Sequence, residues 1–270
     1  MIPFTKFSEK GEHLHFAHAN GYPSGCYGSF LEPFFNDYRV IGMHARPLWN
    51  NKQASAFSNW KKFADDYITF SEEQALQNII GMGHSMGAIS SLIAAHNQQG
   101  LFKKLVLIDP VITPSHYEKV SLLPFFFAKR FNPMVKIALR RKNHWDSKEE
   151  AIEYFKSKKT YRRFDEDSFG DFIEHGLCQK DGKWRLTYPR ELEAKVYSSV
   201  PSIWHILKNP PCPLIILRAE YSNVINDQVW HQIKSVTPNS TFIEVSRVGH
   251  MMPLEKSRQL AQLILPLLRA

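Results

Sequence analysis

The sequence predicts an α/β fold: a mostly parallel central sheet flanked by helices, interrupted by an inserted, mainly helical segment. Three observations carry this expectation. Short apolar runs alternate with stretches of helical periodicity up to about residue 112 and again from residue 209, the pattern of parallel strands joined by covering helices. Runs such as Leu105-Val106-Leu107-Ile108 and Leu214-Ile215-Ile216-Leu217 are apolar at every position, as strands buried on both faces are. Between them the chain turns charge-rich and aromatic, bracketed by Pro110 and Pro114 on one side and Asn209-Pro210-Pro211 on the other. The expected organisation is residues 1–112 as the first part of the core, 113–208 as a helical cap insertion and 209–270 as the second part of the core.

In order along the chain, Phe4 to His18 reads as two short strands around the polar turn Ser8-Glu9-Lys10-Gly11-Glu12, the second with period-two alternation. A glycine-containing loop, His18 to Gly25, follows. Tyr27 to Phe35 reads as a short helix and Tyr38 to Met43 as a strand, ending in the loop His44 to Trp49. Trp60, Phe63, Ala64 and Tyr67 fall at helical spacing, and Asn78 to Met82 is the next buried strand. Ala88 to His96 reads as a helix closed by Gly100, and Lys104 to Ile108 as a strand ending at Asp109-Pro110. The insertion carries Phe125-Phe126-Phe127, Trp145, Tyr154, Phe155, Tyr161, Phe164, Phe169 and Phe172, with no strand signal comparable to those of the core. Alternation then resumes with a strand at Leu214, a helix from Asn226 to Lys234, a strand from Thr241 to Val245 and a closing helix from Leu254 to Leu268.

Bulk properties exclude several classes. With 43% hydrophobic and 22% charged residues, the 270-residue chain has the composition of a globular domain rather than a disordered one. No apolar run reaches the length of a membrane helix, and the first residues lack the basic-then-apolar pattern of a signal peptide, so a cytoplasmic protein without membrane partners is expected. Cys26, Cys178 and Cys212 are too scattered for a disulfide framework or zinc site. The net charge of +8 is spread among acids without a nucleic-acid-binding module, and +6 of it falls between Thr113 and Lys208, as 19 Lys and Arg against 13 Asp and Glu. That excess reads either as a solvated helical surface or as a potential favouring anionic substrates.

The chemistry is concentrated in Gly83-His84-Ser85-Met86-Gly87, a G-x-S-x-G pentapeptide between a buried strand and a helix. A serine hydroxyl becomes a useful nucleophile on a tight turn, clear of its neighbours, above a helix N-terminus and beside a base. His250, in Gly249-His250-Met251-Met252-Pro253 between the last strand and the last helix, is the best base among the twelve histidines. Its loop follows the carboxyl end of a strand, where catalytic groups gather in parallel sheets.

These features resemble the α/β-hydrolase fold with an inserted helical cap, and the resemblance covers nearly the whole chain. It implies the order nucleophile, acid, histidine, with Ser85 first and His250 last. The loop His18 to Gly25 is similar to the family's oxyanion loop, usually H-G-x-P; registering on Pro23 implies the Tyr22 and Met86 backbone N–H groups as the oxyanion donors. Asn20 stands where the family usually has histidine. The acid departs from the pattern too. In Arg218-Ala219-Glu220-Tyr221-Ser222-Asn223 the usual aspartate position is Asn223, which brings no charge to a histidine. Asp109, from a position that some relatives use, is the first candidate for the acid, Glu220 the second and Asp227 a weaker third.

The expected activity is hydrolysis of an ester or thioester of a small to medium, partly apolar small molecule through an acyl-enzyme, of the carboxylic-ester hydrolase type (EC 3.1), without metal or organic cofactor. Carbon–carbon bond hydrolysis on the same fold is an alternative. So is a non-catalytic ligand-binding member, for which Asn223 is the argument. His44, Arg46 and Trp49 either line the pocket or hold their own loop. Oligomeric state is not legible.

Overall fold

The computed structural model describes residues 1–49, 52–57, 59–114 and 132–269, so Phe125-Phe126-Phe127 lie outside the described residues. Among these residues, seven strands form one sheet in the order β1-β3-β2-β4-β5-β9-β10. They are β1 (Phe4–Lys6), β2 (Glu12–Ala17), β3 (Tyr38–Met43), β4 (Ile79–His84), β5 (Phe102–Ile108), β9 (Leu214–Tyr221) and β10 (Thr241–Gly249). β1 runs antiparallel to β3, and every other pairing is parallel.

Successive side chains of a strand point to opposite faces, and here each set meets a different apolar layer. Ile79, Leu105, Leu107, Leu214 and Ile216 join one core with α2 (Lys61–Glu73), α3 (Met86–Asn97) and α9 (Asp227–Val236). Ile80, Met82, Val106, Ile108, Ile215 and Leu217 join the other, with α1 (Gly28–Leu31) and α11 (Ser257–Arg269). The central strands carry no polar alternation because both of their faces are covered. The closing helix is broken at Lys256, so a short α10 (Met252–Glu255) precedes α11.

The residues between β5 and β9 depart from the expectation in one respect. Beside α4 (Pro133–Arg140), α5 (Lys148–Lys156), α6 (Glu166–His175), α7 (Arg190–Tyr197) and α8 (Trp204–Leu207), they contain a three-stranded antiparallel sheet, β6 (His144–Trp145), β8 (Lys183–Leu186) and β7 (Leu177–Lys180). Its strands are two to four residues long, below the length at which sequence periodicity is readable. The β7–β8 turn holds Asp181 and Gly182 at positive φ, a turn signal of the type that closes tight hairpins. Tyr161, Phe164 and Phe172 of this segment pack on Tyr22 of the core, with ring centroids 5.9–6.3 Å apart, so much of its aromatic content joins the two regions. Among the described residues no helix is long and apolar enough to cross a membrane.

Candidate active site

Strand β4 ends at His84 and α3 begins at Met86, leaving Ser85 alone on the turn with φ 56° and ψ −115°. That conformation is strained for a residue with a Cβ. It is held because the Ser85 N–H donates to Ile108 O at 3.0 Å and because the two motif glycines let the elements close. A Cβ on Gly83 would lie 2.6 Å from Ala88 N, and one on Gly87 only 2.1 Å from Ala17 O. The glycines are therefore required by close approach, and the strain is carried by the serine. The Ser85 side chain does not cap α3, which leaves its hydroxyl to other partners.

His250 follows the end of β10, and its Nε2 lies 3.0 Å from Ser85 Oγ. Its Nδ1 lies 2.7 Å from Asp109 Oδ2. An ionised carboxylate only accepts hydrogen bonds, so Nδ1–H donates to Asp109 and Nε2 is free to accept the Ser85 proton. Asp109 sits at the end of β5 with φ 39° and is fully buried. It accepts two further hydrogen bonds, from Ala219 N at 3.0 Å and Ser222 Oγ at 2.9 Å, which fix its carboxylate plane against β9.

The other carboxylates do not reach the histidine. Glu220 is exposed and accepts from Arg247 N at 2.8 Å, where β10 breaks register between Val245 and Gly249 and Arg247 takes φ 61°. Asp227 pairs with Arg218 at 2.6 Å at the start of α9. Asn223 is exposed on the wall of the cavity described below. His44, Arg46 and Trp49 hold their own loop. Arg46 forms a two-pronged pair with Asp66 at 2.6 and 2.7 Å and stacks over Trp49, whose indole donates to His44 O. None of the three lines the cavity, so the pocket-lining alternative fails for them.

The loop expected to serve an oxyanion turns at Gly21, φ +84°, with the Tyr22 N–H closing the turn onto Ala19 O at a long 3.3 Å. The positive φ is the reason glycine is needed there. Met86 is the first residue of α3, where a helix has no internal acceptor for the N–H. Asn20 donates to Glu193 O from across the interface with the inserted segment, and a Cβ at Gly21 would come within 3.1 Å of Glu193 Oε1. Glu193 is itself paired with Arg141 at 3.0 Å, both largely buried.

Two histidines that the sequence offers no reason to choose organise this centre. The His84 ring has only one arrangement that satisfies its partners. Nε2–H donates to His250 O at 2.8 Å, and Nδ1 accepts from Tyr27 OH at 2.8 Å. Tyr27 OH in turn accepts from Ala19 N, so this ring ties the His250 loop to the loop that carries Tyr22. Burial, then the neighbouring His250, lowers the His84 pKa well below its ordinary value and keeps it neutral. His18 donates from Nδ1 to Ala19 O and accepts at Nε2 from Ala45 N, tying the same loop to the end of β3.

Burial pushes the pKa of His18 down to about 4 and that of His15, packed against Tyr67 and Phe70, down to about 3. The unfolded chain binds these protons near pH 6.5 and the folded chain does not, so stability is full above that pH and falls as the pH drops through it. With His84, which burial also keeps neutral, three such groups remove about 3 to 4 kcal/mol of stability per pH unit between about pH 6 and pH 4.5. Chemical unfolding measured across that range is expected to show this slope, and His15→Gln to reduce it by about a third by removing one of the three protons. A stability that stays flat from neutral pH to pH 5 contradicts the assignment.

Beside His250 lies a cavity of about 770 Å³. Tyr22, Phe155 and Tyr161 form part of its wall, and it is within the size range of small-molecule sites. The Arg141 guanidinium also contacts Tyr161 OH, which is hydrogen-bonded at 3.3 Å to Tyr22 OH. Nearby Tyr161 and Glu193 outweigh burial to keep Arg141 firmly charged.

The family model described as "Alpha/beta hydrolase family" matches residues 16–263. The uncharacterized hydrolase YugF of Bacillus subtilis is 21% identical over 278 residues, covering 97% of this chain and 96% of YugF. Among solved structures, E-2-(acetamidomethylene)succinate hydrolase superposes with a TM-score of 0.82 at 17% identity, covering 99% of this chain and 94% of that one. The thioesterase domain of the curacin biosynthetic pathway gives 0.75 at 15% identity, covering 97% and 94%. An esterase from Thermogutta terrifontis gives 0.70 at 16%, covering 99% and 93%. At these identities the structural likeness speaks for the fold alone.

Proposed function

We propose, on the premise that the chain belongs to the alpha/beta hydrolase family, that it is a serine hydrolase acting on an ester or thioester through an acyl-enzyme. The observation that carries this reading is the unbroken hydrogen-bond chain from Ser85 Oγ through His250 to Asp109. Ser85 Oγ attacks the carbonyl carbon as His250 Nε2 takes its proton. Asp109 holds the ring in the tautomer with a free Nε2 and stabilises the imidazolium.

The tetrahedral oxyanion is received by the N–H groups of Met86 and Tyr22, the latter exchanging its long turn bond to Ala19 for a charge-assisted one. Collapse passes the His250 proton to the leaving group. Water then enters, gives a proton to His250 and attacks the acyl carbon; the second tetrahedral intermediate releases the acid as His250 returns that proton to Ser85 Oγ. The described part of residues 113–208 acts as the cap over this chemistry, since its Phe155, Tyr161 and Arg141 share the cavity with His250. Asn223 favours a non-catalytic reading only where nothing else supports the histidine, and Asp109 at 2.7 Å supplies that support.

A fluorophosphonate probe is expected to label the wild-type protein at Ser85, with Ser85→Ala losing both the label and hydrolysis of short p-nitrophenyl esters. Wild-type protein that neither takes the label nor turns over such esters overturns the reading.

A further inference from the structure

From the cavity lining we infer that the substrate carries an acidic group, carboxylate or phosphate, at the end remote from the scissile carbonyl, and that Arg140, Lys158 and Lys159 receive it. The inference rests on the hydrolase reading above and adds the substrate class to it.

Five cationic side chains line the cavity, against two carboxylates. Each carboxylate is taken: Glu193 pairs with Arg141 at 3.0 Å, and Glu255 pairs with Arg163 at 2.7 Å while also accepting from Gly249 N. Arg140, Lys158 and Lys159 are left exposed, in no ion pair among the described residues. They come from two separate places, the last residue of α4 and the turn after α5. A cation at a helix C-terminus is favoured by the helix dipole, which accounts for basic residues near helix ends but not for three unpaired ones lining one cavity.

Charges of one sign along a cleft with low-dielectric walls raise the local concentration of an oppositely charged ligand. The wall of this cleft is largely aromatic: Tyr22 and Phe155 both pack on Tyr161, and Tyr154 lies beside Phe155 and beneath Lys158, whose Nζ is 4.2 Å from the ring centroid. Arg141 is occupied by Glu193 and Tyr161 and contributes field rather than a free donor fork. An aromatic wall and three unpaired cations in the cavity that His250 also lines suit a molecule with an apolar part and an acidic group.

The test compares kcat/KM for three p-nitrophenyl esters of matched chain: the neutral pentanoate, the glutarate mono-ester with a free carboxylate, and the 4-phosphonobutanoate. At least one anionic ester is expected to exceed the neutral one by about tenfold or more at low salt, with the advantage shrinking as salt rises from about 0.05 to about 0.5 M. The better of the two anions identifies the acidic group. The combined Arg140→Gln, Lys158→Gln, Lys159→Gln variant is expected to bring the ratio close to unity.

A neutral ester turned over as well as both anions, or a preference that survives the triple variant, overturns this inference and leaves the acyl chemistry standing. Failure of all three esters together with absence of fluorophosphonate labelling overturns the hydrolase reading instead. In that case calorimetric binding of the same esters to Ser85→Ala still decides the acidic-group inference, tighter binding of an anion supporting it and equal binding removing it.

Discussion

Asp109→Asn is expected to lower kcat/KM for the proposed ester hydrolysis by about 10³- to 10⁴-fold, the scale of loss that the corresponding change produces in a serine protease triad. The side chain keeps its size and an oxygen for Ala219 N, so the fold is retained. What changes is the group facing His250 Nδ1. An amide nitrogen presented there donates rather than accepts, which favours the tautomer with hydrogen on Nε2, and that nitrogen then cannot take the Ser85 proton. The loss falls on kcat with little change in KM, because the interaction matters in the transition state. Glu220→Gln is expected to stay within about threefold of wild type, its carboxylate accepting from Arg247 N at the bulge rather than facing His250. Steady-state kinetics on both variants, with thermal melts to establish that each is folded, checks the assignment. Equal small effects remove Asp109 from the proposed triad.

Gly87→Ala is expected to destabilise the fold by more than about 4 kcal/mol, lowering the melting temperature by about 10 °C or more. Helix propensity argues the opposite sign, since alanine is favoured over glycine by about 1 kcal/mol inside a helix. Packing overrides propensity here. The added Cβ would sit 2.1 Å from Ala17 O and 2.5 Å from Ala17 C, backbone atoms at the end of β2 that have no rotamer to change. α3 must move off the sheet, carrying Ser85 and the Met86 N–H with it. Gly170→Ala in α6 is the matched control, because nothing lies within 4 Å of the Cβ it adds and the site is exposed. That substitution is expected to be neutral or to raise the melting temperature. Similar melting temperatures for the two variants contradict the packing argument.

The same division runs through the rest of the molecule. Ser85 and His250 were legible because each belongs to a local pattern, a glycine-flanked turn after a buried strand and a loop after the last strand. The parallel sheet was legible because strands covered on both faces leave apolar runs such as Leu105 to Ile108. The small β6–β8–β7 sheet was not, since its strands are too short to establish a period. His84 and His18 were not either. A buried histidine carries no local mark, and its use depends on which carbonyl and amide the fold brings to its two nitrogens.

By itself, then, the chain determined the order of strands and helices in the large parallel sheet and its covering layers, the turn that isolates Ser85 and the loop that carries His250, because these follow from spacing along a few residues. Which carboxylate meets His250 was decided only in three dimensions. The sequence offered Asp109, Glu220 and Asp227. The sheet order sets β5 beside β9, so Ala219 and Ser222 grip Asp109 2.7 Å from the ring, while a bulge in β10 draws Glu220 to Arg247 and Arg218 holds Asp227. Asp109 and His250 are 141 residues apart in sequence, and no local propensity reaches across that distance.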